Sequence, residues 1–171
     1  VLVGQGEGGL LGLTLLPEEP DRWHGALLMN TGLPQDEGAA PASLAAWRGR
    51  CARWRGPDTA NLLGVGADQA APYSAPFVDA GHGAAVGALA RLASGDAALR
   101  ARACDFWRDA WRGPTLLVAG GLDTAWGIEA TQSLARATAG APSVWTLPDA
   151  GLLLPGTHGE AVAREALQRL G

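Results

Sequence analysis

Apolar runs broken by glycine and proline set the pattern of the chain. The β-branched run Val1-Leu2-Val3 is closed by Gly4-Gln5-Gly6-Glu7-Gly8-Gly9, and Leu10-Leu11-Gly12-Leu13-Thr14-Leu15-Leu16 follows as a segment suited to a buried helix. Pro17, Pro20 and Asp21 end that helix, Ala26-Leu27-Leu28-Met29-Asn30 reads as a second strand, and Thr31-Gly32-Leu33-Pro34 breaks it. A strand, a helix and a strand within about 30 residues form a βαβ unit with parallel pairing. From residue 35 to residue 99 the pattern changes to Ala, Gly, Pro and Trp, with helical stretches over 42–54 and 83–92 and no convincing strand. A helix over 100–111 leads into Thr115-Leu116-Leu117-Val118-Ala119 as a third strand, closed by Gly120-Gly121-Leu122-Asp123. A helix over 128–139, a fourth strand over 143–147 and an amphipathic helix over 160–170 complete the pattern.

The expected class is therefore α/β, with about four parallel strands, flanking helices and a helical insertion. Residues 1–34 hold the first strand, helix and second strand; residues 35–99 form the inserted cap; residues 100–171 form the rest of the core. In parallel sheets functional groups collect at the carboxyl ends of the strands, where the loops open onto one edge. Those ends hold Gly6 and Glu7, Asn30, Asp123, and Asp149-Ala150-Gly151-Leu152.

Composition narrows the function classes. All 13 basic residues are Arg, scattered among 17 acidic ones for a net charge of −4, which argues against a nucleic-acid or anionic-membrane surface. The apolar stretches fall far short of the roughly 20 residues that span a bilayer, and no basic flank precedes the apolar start, so a soluble, cytoplasmic protein is expected. Cys51 and Cys104 lie 53 residues apart, with neither the spacing of a zinc site nor a disulfide framework, and read as small buried hydrophobes. No metal site is expected. Seven Trp stand against two Phe and one Tyr; Trp23, Trp107, Trp111, Trp126 and Trp145 flank predicted elements and read as packing residues.

The strand, glycine turn and helix, with small residues at alternate positions, look like the nucleophile elbow of the α/β-hydrolases. More narrowly, VGQGEGGLLGLTL followed by ALLMNTGLP resembles the haloalkane dehalogenases, whose elbow reads close to V-x-Q-D-W-G-G with the aspartate as nucleophile. In chain order, APYSAPFVDAGHGAAVGAL resembles that family's cap segment. TLLVAGGLDTAWG resembles its acid-bearing strand and loop, and PDAG followed by GEAVAREALQRL its histidine loop and last helix. The resemblance runs over essentially the whole chain and implies a partial α/β-hydrolase fold from the elbow onward.

It also implies a reaction: an aspartate attacks the carbon bearing the halogen, a histidine held by a second acid activates water against the resulting ester, and two ring N–H donors hold the halide. No cofactor is implied. Carried over position by position, the nucleophile falls on Gly6, the neighbouring halide-binding Trp on Glu7 and the histidine on Leu152. Asp123 takes the acid position, 29 residues before Leu152, and Trp47 or Trp54 in the cap the second halide donor. The expectation is a catalytically impaired pseudoenzyme or fragment, with a small haloalkane or related apolar molecule as ligand. Glu7 as a substitute nucleophile would place Gln5 where the turn wants glycine. His158, at the start of the last helix, is expected too far away to replace a histidine at 152, and His24 and His82 read as surface or packing residues.

Two other readings stay open. Gly4-x-Gly6-x-x-Gly9, between a strand and a helix, fits a dinucleotide-binding turn, although Asn30 stands where an acidic residue should hold the ribose. The family fold also places several strands before its elbow, which leaves Val1-Leu2-Val3 as an apolar edge able to pair with another chain in a non-catalytic half-domain.

Overall fold

The computed structural model describes residues 1–35, 37–79, 81–92 and 96–171, so Ala80, within the cap segment APYSAPFVDAGHGAAVGAL, lies outside the described residues. Four strands, β1 (Leu2–Gln5), β2 (Ala26–Met29), β3 (Thr115–Gly120) and β4 (Val144–Leu147), form one parallel sheet in the order β1-β2-β3-β4. The helices are α1 (Gly6–Leu15), α2 (Ala42–Arg53), α3 (Ala60–Leu63), α4 (Ala67–Ser74), α5 (Ala84–Leu92), α6 (Ala97–Asp109), α7 (Gly127–Ala137) and α8 (Leu154–Leu170). This is the expected α/β order, with α2 to α5 inserted between β2 and α6.

The two central strands read as unbroken apolar runs because both of their faces are covered. On one face Leu28 and Leu117 join Leu2, Leu13, Leu16, Trp107 and Leu134 in a cluster beneath α1, α6 and α7. On the other, Leu27, Met29, Leu116 and Val118 pack against Leu154 and Val162 of α8. A third cluster, of Leu10, Leu44, Ala125, Trp126 and Ala130, lies under the cap at the strands' carboxyl ends. Strand β1 is one of the two sheet edges, and Val3 there is 61 % exposed; Leu11 and Leu15 of α1 are also exposed.

Several boundaries differ from expectation. Helix α1 begins at Gly6, inside the run that reads as a turn. The glycines of the run serve packing: a Cβ on Gly4 of β1 would lie 2.8 Å from the Gly9 Cα, and one on Gly9 would lie 2.6 Å from Thr31 Oγ1. Tertiary contact thus overrides the poor helix propensity of glycine. Helix α8 begins at Leu154, six residues earlier than the pattern suggests, with proline in its first turn, where a missing N–H costs nothing. The cap also contains α3 and α4, neither of them expected; α3 spans one turn and α4 contains Pro72.

Candidate active site

The register brings the strand ends together. Gln5 pairs with Met29, Met29 with Val118, and Gly120 with Leu147, so the loops after all four strands open onto one edge. Side chains tie those loops to one another. The Gln5 amide Nε2 donates to the Leu152 carbonyl, linking the β1 end to the loop after β4. Asn30 is fully buried, accepts from the Gly120 N–H at 2.7 Å and donates to the Gly151 carbonyl at 2.9 Å. Its φ of +44° is one that Asn tolerates better than most residues. The loop after β3 adds a backbone bond, Leu122 N–H to the Ala150 carbonyl at 2.9 Å. Gly6, Asn30, Asp123 and Leu152 therefore lie in one neighbourhood, although 146 positions separate the first from the last.

Gly6 is buried at the first position of α1 with φ +52°, the left-handed backbone of a sharp turn from strand to helix, which glycine adopts without strain. A Cβ there would meet only the Trp126 indole, Nε1 at 3.6 Å and Cδ1 at 3.9 Å. The turn is present without a side chain at its apex. Glu7, the next residue, does not stand as a bare carboxylate: Arg48 of α2 holds it through bonds of 2.8 and 3.0 Å. This half-buried pair joins core to cap and offsets a carboxylate charge that alone would repel a halide.

Asp123 is 8 % exposed, and its carboxylate accepts from the backbone N–H groups of Ala125 at 2.9 Å, Trp126 at 3.2 Å and Gly127 at 3.0 Å. It organises the entry to α7. Burial raises its pKa above the ordinary carboxyl value, against the lowering by those three donors. A raised folded pKa contributes stability in full below the unfolded value, and that contribution is lost as pH rises through the folded value. Asp123→Asn should flatten this slope in melts recorded from about pH 3 to pH 7, and should cost about 1–2 kcal/mol at neutral pH because one amide oxygen cannot serve three donors. No hydrolytic rate should change. A melting temperature at neutral pH equal to that of the native chain would contradict the structural role.

Leu152 is half-buried against the cluster that contains Trp126. His158 lies within α8, not at its start, and pairs with Asp149, Nε2 to Oδ1 at 3.2 Å. His82 pairs with Asp79 on the surface, and His24 is exposed.

Trp47 and Trp54 do reach a cavity of about 550 Å³ between α1 and the cap, lined also by Glu7, Leu11, Tyr73 and Phe77. Neither offers the donor expected of it. The Trp47 indole N–H already donates to the Leu62 carbonyl at 3.1 Å and that of Trp54 to the Asp58 carbonyl at 2.7 Å, so a halide would have to displace a backbone bond. The cavity touches the elbow through Glu7 and Gly8; Gly6, Asp123 and Leu152 do not line it. The indole N–H that faces the elbow is that of Trp126, a residue that sequence does not distinguish from the other packing tryptophans.

Among the described residues no group of three or more His, Cys, Asp or Glu could hold a metal, and no helix is long and apolar enough to cross a membrane.

Comparison with solved structures gives this arrangement a context. The haloalkane dehalogenase DpaA from Paraglaciecola agarilytica NO2 superposes with a TM-score of 0.85 and 25 % identity over 98 % of this chain and 59 % of its own. The haloalkane dehalogenase DbeA from Bradyrhizobium elkani USDA94 gives 0.74 and 20 % over 98 % and 65 %. An α/β-hydrolase fold protein from Burkholderia ambifaria gives 0.67 and 20 % over 98 % and 64 %. The chain thus spans about three-fifths of the length of the structures it matches. No family model matches it.

Proposed function

We propose that this chain, which has the fold of the haloalkane dehalogenases and other α/β-hydrolases over part of their length, binds a small apolar molecule without the covalent hydrolytic chemistry of that fold. One observation carries the reading. The sharp left-handed turn is present at Gly6, beside the Leu152 loop, with no side chain to attack a carbon and no imidazole to activate water. The apolar cavity beneath the cap, with Trp54 and Phe77 edge to face at 4.8 Å, suits a haloalkane or similar molecule.

Incubation with a bromoalkane followed by intact-mass measurement tests this. An alkylated aspartate or glutamate ester adds the mass of the alkyl group; the expected spectrum is that of the unmodified chain. A stoichiometric alkyl adduct on a carboxylate would overturn the reading.

The exposed apolar row of Val1, Val3, Leu11 and Leu15 favours a second reading, in which the chain pairs with another polypeptide through β1. The native chain should then sediment as an associated species and Val3→Lys as a smaller one. A native chain that sediments as a monomer under the same conditions counts against pairing with itself. The dinucleotide alternative gains no such support, because the Asn30 amide is buried and committed to the Gly120 and Gly151 backbone.

A further inference from the structure

We propose that the notch over Gly6, between the Trp126 indole N–H and the first turn of α1, binds a small monocarboxylate such as formate or acetate. Trp126 is 1 % exposed, yet its N–H has no acceptor among the described residues, whereas those of Trp47, Trp54, Trp107 and Trp111 all donate to protein oxygens. This donor faces the space a side chain at position 6 would fill, since Nε1 is the atom nearest to a Cβ placed there, at 3.6 Å.

The second half of the site is the N-terminus of α1. That ten-residue helix has no side-chain cap, so the N–H groups of its first turn lack intrahelical acceptors and carry the positive end of the helix dipole. Gly8 presents no side chain over that turn, with nothing within 4 Å of its Cβ position. The groups that would repel an anion are each hydrogen-bonded: Arg48 neutralises the Glu7 carboxylate, three backbone N–H groups hold that of Asp123, and Thr31 Oγ1 donates to the Gly6 carbonyl at 2.7 Å.

A carboxylate suits the two donor sets because its two oxygens can reach the indole on one side and the helix N–H groups on the other. A dianion is disfavoured, since the helix end supplies only about half a positive charge. The site stands on the geometry at Gly6 and Trp126, so its failure leaves the reading above intact.

The test is a titration of protein labelled with ¹⁵N at tryptophan, followed by the ¹H–¹⁵N indole resonances, with sodium formate, acetate, bromide and phosphate at constant ionic strength. The Trp126 resonance, identified by its loss in Trp126→Phe, should shift saturably with formate at a midpoint of the order of 10 mM, while the indoles of Trp47, Trp54, Trp107 and Trp111 stay in place. Gly6→Ala fills the notch and should raise the midpoint at least about tenfold. If that variant does not fold, the Glu7 and Gly8 backbone amides of uniformly ¹⁵N-labelled protein report formate binding in Trp126→Phe, where the same tenfold weakening is expected. Movement that does not saturate by about 100 mM, or a midpoint unchanged by the substitution that folds, means a general salt effect and overturns the site. Saturation by bromide or phosphate at lower concentration than by formate overturns the carboxylate assignment.

Discussion

Asn30→Asp should lower the melting temperature by about 10 °C at neutral pH, corresponding to roughly 3–5 kcal/mol at 2–4 °C per kcal/mol for a chain of this size. The two side chains are almost identical in shape, so the loss isolates hydrogen-bond polarity. Asn30 offers one acceptor to the Gly120 N–H and donates from its amide nitrogen to the Gly151 carbonyl. The substitution turns that nitrogen into an oxygen facing a carbonyl, about where the amide hydrogen was, in a fully buried place. Protonation restores the donor, so the substituted carboxyl has a raised folded pKa. The sign follows: stability of the variant recovers as pH falls through that value and is lost as pH rises. Melts at neutral pH and near pH 4 measure both parts. A melting temperature within about 2 °C of the native chain at neutral pH would show that Asn30 does not tie β2 to the loops after β3 and β4.

Gly9→Ala should cost about 2–3 kcal/mol, although propensity alone favours alanine within a helix by about 1 kcal/mol. Packing decides the sign. The new methyl would lie 2.6 Å from Thr31 Oγ1 and 2.8 Å from both its Cβ and its Cγ2. Thr31 cannot give way cheaply: it is fully buried, its hydroxyl donates to the Gly6 carbonyl, and its own carbonyl accepts from Thr131 Oγ1 at 3.0 Å. One position earlier, a Cβ on Gly8 meets nothing within 4 Å, so Gly8→Ala should stabilise by about 0.5–1 kcal/mol. Chemical denaturation of the two variants beside the native chain gives two shifts of opposite sign. Equal shifts would refute the packing explanation of the glycine run.

These two residues also mark how far the sequence could be read. The apolar runs 26–29 and 115–119 announce buried parallel strands because both of their faces need apolar side chains. The glycine run at 4–9 is legible only in part: glycine signals a turn locally, and only the approach of Thr31 and of β1 explains why a helix keeps so many of them. The start of α8 was legible in principle, through Pro155 at a first-turn position. The Glu7–Arg48 pair bridges 41 residues between core and cap and leaves no periodic trace. Likewise Trp126 has the sequence context of any core tryptophan. What distinguishes it is the direction of its N–H toward a glycine 120 positions away, which only the assembled fold defines.

On the proposed reading, the Gly6 turn and the Leu152 loop form the frame of a hydrolytic site without its reacting groups. Halide release measures that most directly. The native chain, incubated with a bromoalkane at a concentration where an ion-selective electrode detects micromolar bromide, should release bromide at the rate of buffer alone. Bromide released in proportion to the concentration of the native chain, and lost on heat denaturation, would contradict the account.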